Sequence, residues 1–313
     1  MTSNRSLIAI DWGTSSLRAA LIAPDGSIED RLSTADGIMF AAGRSFESVF
    51  EERFSPWLAR RPDALVLASG MIGSRQGWVE APYASCPAGF EDLARAMAWT
   101  TTARGVRVGV APGVRAEHGH GAADVMRGEE TEIFGAVASA NLSDAVFVLP
   151  GTHSKWARVA GGRIVGFHTF MTGELYGLLR RHSILARLMP AEGGAEPLDA
   201  AAFAQGCAAA RRSGAPLHEL FAVRTHGLFD RLAAEALPSY MSGLLIGEET
   251  REALALMGAP AGPVRLVGRG DLAERYAGAL GAFGIGSIPA GADLAFRGLR
   301  ALAEALEGRE DDR

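Results

Sequence analysis

Two stretches of the chain repeat one pattern of apolar strands broken by a hydroxyl-rich turn. Residues 7–23, LIAIDWGTSSLRAALIA, predict a strand ending in Asp11, a tight turn over Trp12-Gly13-Thr14-Ser15-Ser16 and a second strand back. A Pro24-Asp25-Gly26 turn leads into a third strand. Residues 145–167, AVFVLPGTHSKWARVAGGRIVGF, predict strand, Gly-Thr-x-Ser turn, strand, Gly161-Gly162 turn and strand. Gly13, Thr14 and Ser16 thus recur as Gly151, Thr152 and Ser154 at one fixed offset, far longer than a solenoid period, which suggests two similar domains. Between and after these copies the apolar spacing turns helical. Phe46, Val49, Phe50, Phe54, Trp57 and Leu58 make a core stripe on a helix over 46–60, and a further helix is expected over 130–140. Residues 64–69 and 106–111 read as buried strands. Thr172 is expected to cap a helix opening on Gly173-Glu174, and 178–189 to be amphipathic with Arg180, Arg181 and Arg187 outside. Residues 190–198 read as a loop able to serve as lid or connector. Alanine-rich helices follow over 199–212 and 216–257, interrupted at Gly227 and Pro238. Val264 opens a strand that enters Gly268-Arg269-Gly270, with Asp271 and Glu274 as a capping box. A closing helix carries Ala295, Leu299, Leu302 and Leu306 on one stripe, and the tail from Gly308 is expected to fray.

Composition narrows the function. The 313 residues suit about two domains, and a net charge of −5 offers no basic face for nucleic acid. Two cysteines, Cys86 and Cys207, make no disulfide framework and suit a reducing compartment. The first residues lack the apolar run of a signal peptide, and no apolar stretch reaches the about 18 residues of a spanning helix. The expectation is a cytoplasmic globular protein acting on a small molecule, without nucleic-acid or membrane partners, with a homo-oligomer left open.

Candidate chemistry gathers at the turns. Gly13 lets backbone amides come close to phosphate, Thr14, Ser15 and Ser16 add hydroxyl donors, and Asp11 can hold Mg²⁺ through water. An ordinary hairpin is the plain alternative. The strand over 64–69 empties into Gly70-Met71-Ile72-Gly73-Ser74-Arg75-Gln76-Gly77-Trp78, at the carboxyl end of a strand, where open α/β sheets bind ligands. Arg75 could fork onto a carboxylate, Gln76 could bond sugar hydroxyls and Trp78 could wall a sugar, or the Trp could simply anchor the loop. His118-Gly119-His120 lacks the further ligands of a tetrahedral zinc site. Nearby carboxylates are candidates for the base that takes a hydroxyl proton, in the order Glu129, Asp124, Glu130; each could equally complement a helix dipole. Lys155 is the single lysine among 31 Lys and Arg, and stands in the second hairpin, which suggests a role near phosphate or a substrate carboxylate. His153 could hydrogen-bond either group. Glu174 could bind a substrate hydroxyl or complete a cap. Gly268 and Gly270 allow an adenine or ribose to lie on bare backbone.

Paired hairpins of this kind resemble the actin, hexokinase and heat-shock ATPase superfamily. The strings Asp11-Trp12-Gly13-Thr14, Gly70–Trp78, Asp124-Val125-Met126-Arg127-Gly128-Glu129-Glu130-Thr131 and Leu149-Pro150-Gly151-Thr152-His153-Ser154-Lys155-Trp156, in that order, resemble the 2-dehydro-3-deoxygalactonokinase family over nearly the whole chain. The resemblance implies an α/β protein of two ribonuclease H-like domains facing across a nucleotide cleft. Their expected bounds are 1–125 with 291–313 returning to it, and 126–290. It also implies ATP and Mg²⁺ as cofactors. Gly13, Thr14, Ser15, Gly151, Thr152, His153, Gly268 and Gly270 would line the nucleotide, and Asp11 would hold the metal. Arg75, Gln76, Trp78 and Glu174 would meet the acceptor, 2-dehydro-3-deoxy-D-galactonate, phosphorylated at its terminal hydroxyl. Related carbohydrate kinases hold their base in a Gly-Asp pair, where this chain has Gly128-Glu129. A kinase of another sugar or sugar acid, or a nucleotide-gated regulatory ATPase, are the alternatives.

Overall fold

The computed structural model describes residues 5–39, 43–119, 121–191, 197–268 and 270–311. The chain forms two compact units: Met1–Asp144 with Val159–Gly166 and Gly291–Arg313, and Ala145–Arg158 with Phe167–Ala290.

In unit 1, β1 (Leu7–Trp12), β2 (Leu17–Ile22) and β3 (Ile28–Thr34) form the expected meander, followed by α1 (Phe46–Arg60) and β4 (Leu65–Ser69). Next come β5 (Tyr83–Ser85), α2 (Phe90–Arg95), β6 (Ala98–Thr101) and β7 (Arg107–Val110). The stretch closes with β8 (Gly113–Glu117), β9 (Ala123–Met126) and α3 (Glu129–Ala140). The main sheet runs β3-β2-β1-β4-β7-β6, and a small one runs β5-β8-β9. β1 is central, antiparallel to β2 and parallel to β4, and Ile8, Ile10 and Trp12 are packed out of solvent, as a two-sided strand requires. The α1 stripe, Val49, Phe50, Phe54 and Trp57, completes this core, and Ser45 caps the helix by accepting from the Ser48 amide.

Unit 2 repeats the plan. β10 (Ala145–Leu149), β11 (Ser154–Ala160) and β12 (Arg163–Phe170) are followed by α4 (Thr172–His182), α5 (Ala200–Ser213), α6 (Pro216–Leu228) and α7 (Leu237–Met257). β13 (Val264–Leu266), α8 (Gly270–Ala282) and β14 (Ser287–Pro289) complete it. The sheet order β12-β11-β10-β13-β14 matches β3-β2-β1-β4-β7, and β10 runs parallel to β13 as β1 does to β4. The tip of the β11–β12 hairpin belongs to unit 1, where Ile164 and Ala88 exchange backbone hydrogen bonds of 2.8 and 3.0 Å.

The last helix, α9 (Leu294–Asp311), lies in unit 1 with Leu299 and Leu302 buried. It crosses α3 at backbone contact: a Cβ on Gly135 would fall 1.9 Å from the Leu294 oxygen, and one on Gly298 1.9 Å from the Thr131 oxygen. That crossing holds α3 in unit 1, so the division falls after Asp144 and not at the expected 125/126. Four local expectations also change. α9 continues through Gly308 where fraying was expected. Arg180 is buried, its guanidinium donating to the Pro190 oxygen at 2.6 Å, because its apolar stem can pack while its head meets a carbonyl. Thr172 is the first helical residue, with no side-chain cap at Met171 before it. Asp271 lies inside the first turn of α8 and pairs loosely with Arg275 at 4.0 Å. His120, Arg269 and most of the expected lid, residues 192–196, lie outside the described residues. Among the described residues no helix is long and apolar enough to cross a membrane.

Candidate active site

In unit 1, parallel pairing sets Asp11 opposite Ser69, so the β1 turn and the loop after β4 leave the sheet side by side. Gly70 has φ +90°, where side chains are strained, and a Cβ there would lie 2.9 Å from the Trp12 oxygen and 3.5 Å from Asp11 Oδ1. On its other side, a Cβ on Gly128 would lie 3.3 Å from the Gly70 Cα. Asp11, Gly70 and the Gly128-Glu129-Glu130 opening of α3 therefore converge, although they are far apart in sequence. The Thr131 hydroxyl donates to the Gly128 oxygen at 2.6 Å and lies 3.4 Å from that of Ser69, tying α3 to the end of β4.

The carboxylates at this junction differ. Asp11 is largely buried and pairs with Arg18 at 2.6 Å; burial raises its pKa, and the Arg18 charge and hydrogen bond oppose the rise. Glu129, half-buried, accepts from the Arg127 amide at 2.9 Å. Glu130 is fully buried, accepts from the Gly128 amide at 2.7 Å, and is pushed up to about 8 by desolvation and then by the Glu129 charge. A group without exposure cannot meet a substrate hydroxyl, so Glu130 does not fit the role of base. Asp124 stands apart on β9, 2.9 Å from His118 Nε2, across the β8–β9 hairpin.

The Gly13 amide closes the turn onto the Ser16 oxygen at 2.9 Å, leaving Thr14 and Ser15 exposed. On the loop, Arg75 and Gln76 are exposed, and Arg75 pairs with Glu80 at 3.0 Å. Trp78 packs its ring on Phe50 and Trp12, at centroid distances of 5.4 and 6.4 Å, so it anchors the loop to the core.

In unit 2, Thr152 and His153 are exposed at the turn, and Lys155 is buried on β11, displaced from the turn by its place in the strand. The start of α4 rests on the turn: the Glu174 amide donates to the Thr152 oxygen at 2.9 Å, and a Cβ on Gly173 would fall 2.3 Å from the Gly151 oxygen. The Glu174 carboxylate lies 2.5 Å from His153 Nε2. Glu174 thus belongs to unit 2, whereas Arg75, Gln76 and Trp78 belong to unit 1. Gly268 has φ +137° with Pro150 as the nearest neighbour to a Cβ, at 3.9 Å; Gly270 has φ +70° and nothing within 4 Å. Turn and Gly-x-Gly thus lie together with open backbone.

Two residues escaped sequence reasoning. Arg127 donates to the Ala81 oxygen at 2.8 Å and stacks 4.3 Å from the Tyr83 ring, bracing the strand that leads to Glu129. Glu249 is buried in α7, and only its place in an apolar stretch of helix could have marked it.

The doubled strand order with a hydroxyl-bearing turn after each first strand defines the actin-like ATPase fold, a class that includes carbohydrate kinases. The model of the 2-keto-3-deoxy-galactonokinase family matches residues 11–302, and the chain belongs to that family. Membership makes it a carbohydrate kinase. It is 38% identical over 309 residues to a Rhizobium meliloti (strain 1021) protein named as a 2-dehydro-3-deoxygalactonokinase, DgoK1, covering 98% of this chain and 99% of that one. It is 37% identical over 304 residues to the 2-dehydro-3-deoxygalactonokinase of Escherichia coli (strain K12), covering 96% and 98%. A crystal structure of a Sinorhizobium meliloti protein described as the same kinase aligns with TM-score 0.84 at 34% identity, over 97% of this chain and 99% of that one. An activator of 2-hydroxyisocaproyl-CoA dehydratase from Clostridium difficile, with bound ADPNP, shares the fold at TM-score 0.50 and 11% identity, over 98% and 96%.

Proposed function

We propose that this chain transfers the γ-phosphoryl group of ATP to the terminal (6-) hydroxyl of 2-dehydro-3-deoxy-D-galactonate. The observation that carries the reading is the convergence of Asp11, Gly70 and Gly128-Glu129 at one end of the unit 1 sheet. The names of relatives at 37% and 38% identity support the acceptor. Phosphoryl transfer needs positioning and charge stabilisation more than covalent chemistry. Glu129, half-buried and steadied by the Arg127 amide, would take the hydroxyl proton, with Asp124 the next candidate. Arg75 and Gln76 would meet the acceptor's carboxylate and hydroxyls. Thr14, Ser15, Thr152 and His153 would donate to phosphate oxygens, Lys155 would add positive charge, and Gly268 and Gly270 would receive the adenosine.

Mg²⁺ suits this donor set. Asp11 offers a hard oxygen ligand at a strand end, and the half-exposed Arg18 guanidinium on it stands where a cation would be drawn. When bound, the ion would neutralise charge on the transferred phosphoryl group. The test is ADP release by purified protein with ATP and Mg²⁺, with and without the acceptor, beside a panel of other sugar acids and neutral sugars. Turnover dependent on 2-dehydro-3-deoxygalactonate supports the reading. Preference for another acid would change the substrate, and slow hydrolysis indifferent to every acceptor would overturn the kinase assignment.

A further inference from the structure

Unit 2 contains a buried carboxylate that the proposed chemistry does not use. Glu249, in the middle of α7, is 3% exposed. Its Oε1 accepts from Trp156 Nε1 at 2.8 Å and its Oε2 from the Tyr276 hydroxyl at 2.7 Å, with the Thr172 and Ser154 hydroxyls beside it. Trp156 and Tyr276 are themselves 1% and 2% exposed. Burial raises the Glu249 pKa, and these hydrogen bonds work against the rise. An apolar residue would fill the same space at no desolvation cost, so stability alone gives a weak reason for a carboxylate here.

The groups around it come from three elements of the candidate nucleotide site, Ser154 and Trp156 both from β11. Trp156 follows Lys155 on β11; since side chains alternate along a strand, fixing the indole fixes the side toward which Lys155 points. Thr172 opens α4, the helix whose next residues rest on Gly151 and Thr152. Tyr276 lies in α8, the helix that begins at Gly270.

We propose that Glu249 is a positioning residue that joins the second phosphate turn, the start of α4 and the Gly268–Gly270 turn into one rigid nucleotide-binding frame. The inference rests on the reading of these turns as nucleotide contacts. Losing the carboxylate would leave the Trp156 donor unpaired in an apolar interior and the Tyr276 hydroxyl with only Ser154 beside it, and so loosen all three elements together.

The test compares full-length wild type with Glu249→Leu, Glu249→Gln and Tyr276→Phe. ADP release is measured with ATP and acceptor each varied, alongside ADP binding by calorimetry and the thermal midpoint. In Glu249→Leu, KM for ATP and Kd for ADP are expected to rise about tenfold, with KM for the acceptor within about twofold of wild type. Glu249→Gln should recover most of the loss, because its amide oxygen still accepts from the indole and the Tyr276 hydroxyl can turn to accept from its nitrogen. Folded Glu249→Leu with wild-type nucleotide constants, an equal rise for both substrates, or a Gln variant as impaired as Leu would overturn the inference. Should Glu249→Leu not fold, Tyr276→Phe decides: a raised KM for ATP supports the frame, and an unchanged one overturns it. Wild type inactive with every acceptor would overturn the kinase reading instead, and ADP binding by the variants would still test Glu249.

Discussion

The turn after β1 and the turn after β10 share a backbone plan and differ in what surrounds them. Unit 1 has Asp11 two residues before Gly13, where unit 2 has the buried Leu149 two residues before Gly151. Each neighbouring parallel strand is followed within two residues by a glycine of positive φ, Gly70 or Gly268. Gly70 is enclosed by the Trp12 carbonyl, Asp11 and Gly128, whereas Gly268 has only Pro150 near it. One scaffold thus occurs twice: both turns expose hydroxyls, Asp11 and the Gly128-Glu129 opening of α3 converge beside the first, and open backbone at Gly268 with the Glu174–His153 pair marks the second. On the proposed reading, metal and proton chemistry would belong with the first and adenosine binding with the second, both turns donating to phosphate.

Removing the carboxylate chemistry should break the comparison most strongly. Glu129→Gln is expected to lower kcat by on the order of 10²–10⁴ with little change in KM for ATP, read from steady-state ADP release. The two glycines sharpen the contrast. Gly70→Ala adds strain at φ +90° and a contact at 2.9 Å, and should cost about 1–3 kcal/mol of stability by chemical denaturation. Gly268→Ala meets only the strain of φ +137°, so it should lose less stability and show its effect as a severalfold rise in KM for ATP.

A last effect, on stability against pH, concerns Glu130. Folded, its pKa is about 8 against an ordinary 4.5, so between these values the folded chain keeps a proton that the unfolded chain has lost. Stability should therefore fall as pH rises from about 4.5 to about 8 and level off above. Glu130→Gln, whose amide oxygen can still accept from the Gly128 amide, should remove that fall, matching wild type in acid and melting several degrees higher in mild alkali.

Much of this arrangement was legible in the chain. Apolar runs over 7–12 and 145–149, each ending in a glycine turn, marked the central strands because a strand buried on both faces has no polar alternation to hide it. The stripe of α1 was equally plain, since one of its faces meets the core and the other solvent. Long-range geometry was not. The Gly135–Gly298 crossing that holds α3 in unit 1 joins residues too far apart for any local pattern to pair. Arg180 reads as a surface residue until its carbonyl partner at Pro190 is seen. Glu249 sits in a helix whose middle is buried on every side, so periodicity marks no face, and its donors come from elements distant in sequence. In the site, residue types indicated the turns and the carboxylates, but only packing separates a half-buried Glu129 from an enclosed Glu130.

The division of labour is tested most directly by measuring ADP binding and acceptor-dependent turnover on the same preparations of wild type and Glu129→Gln. The expected result is wild-type affinity for ADP with turnover reduced by on the order of 10²–10⁴. Turnover that survives the substitution, or ADP affinity that is lost with it, would contradict the assignment of proton chemistry to unit 1 and adenosine binding to unit 2.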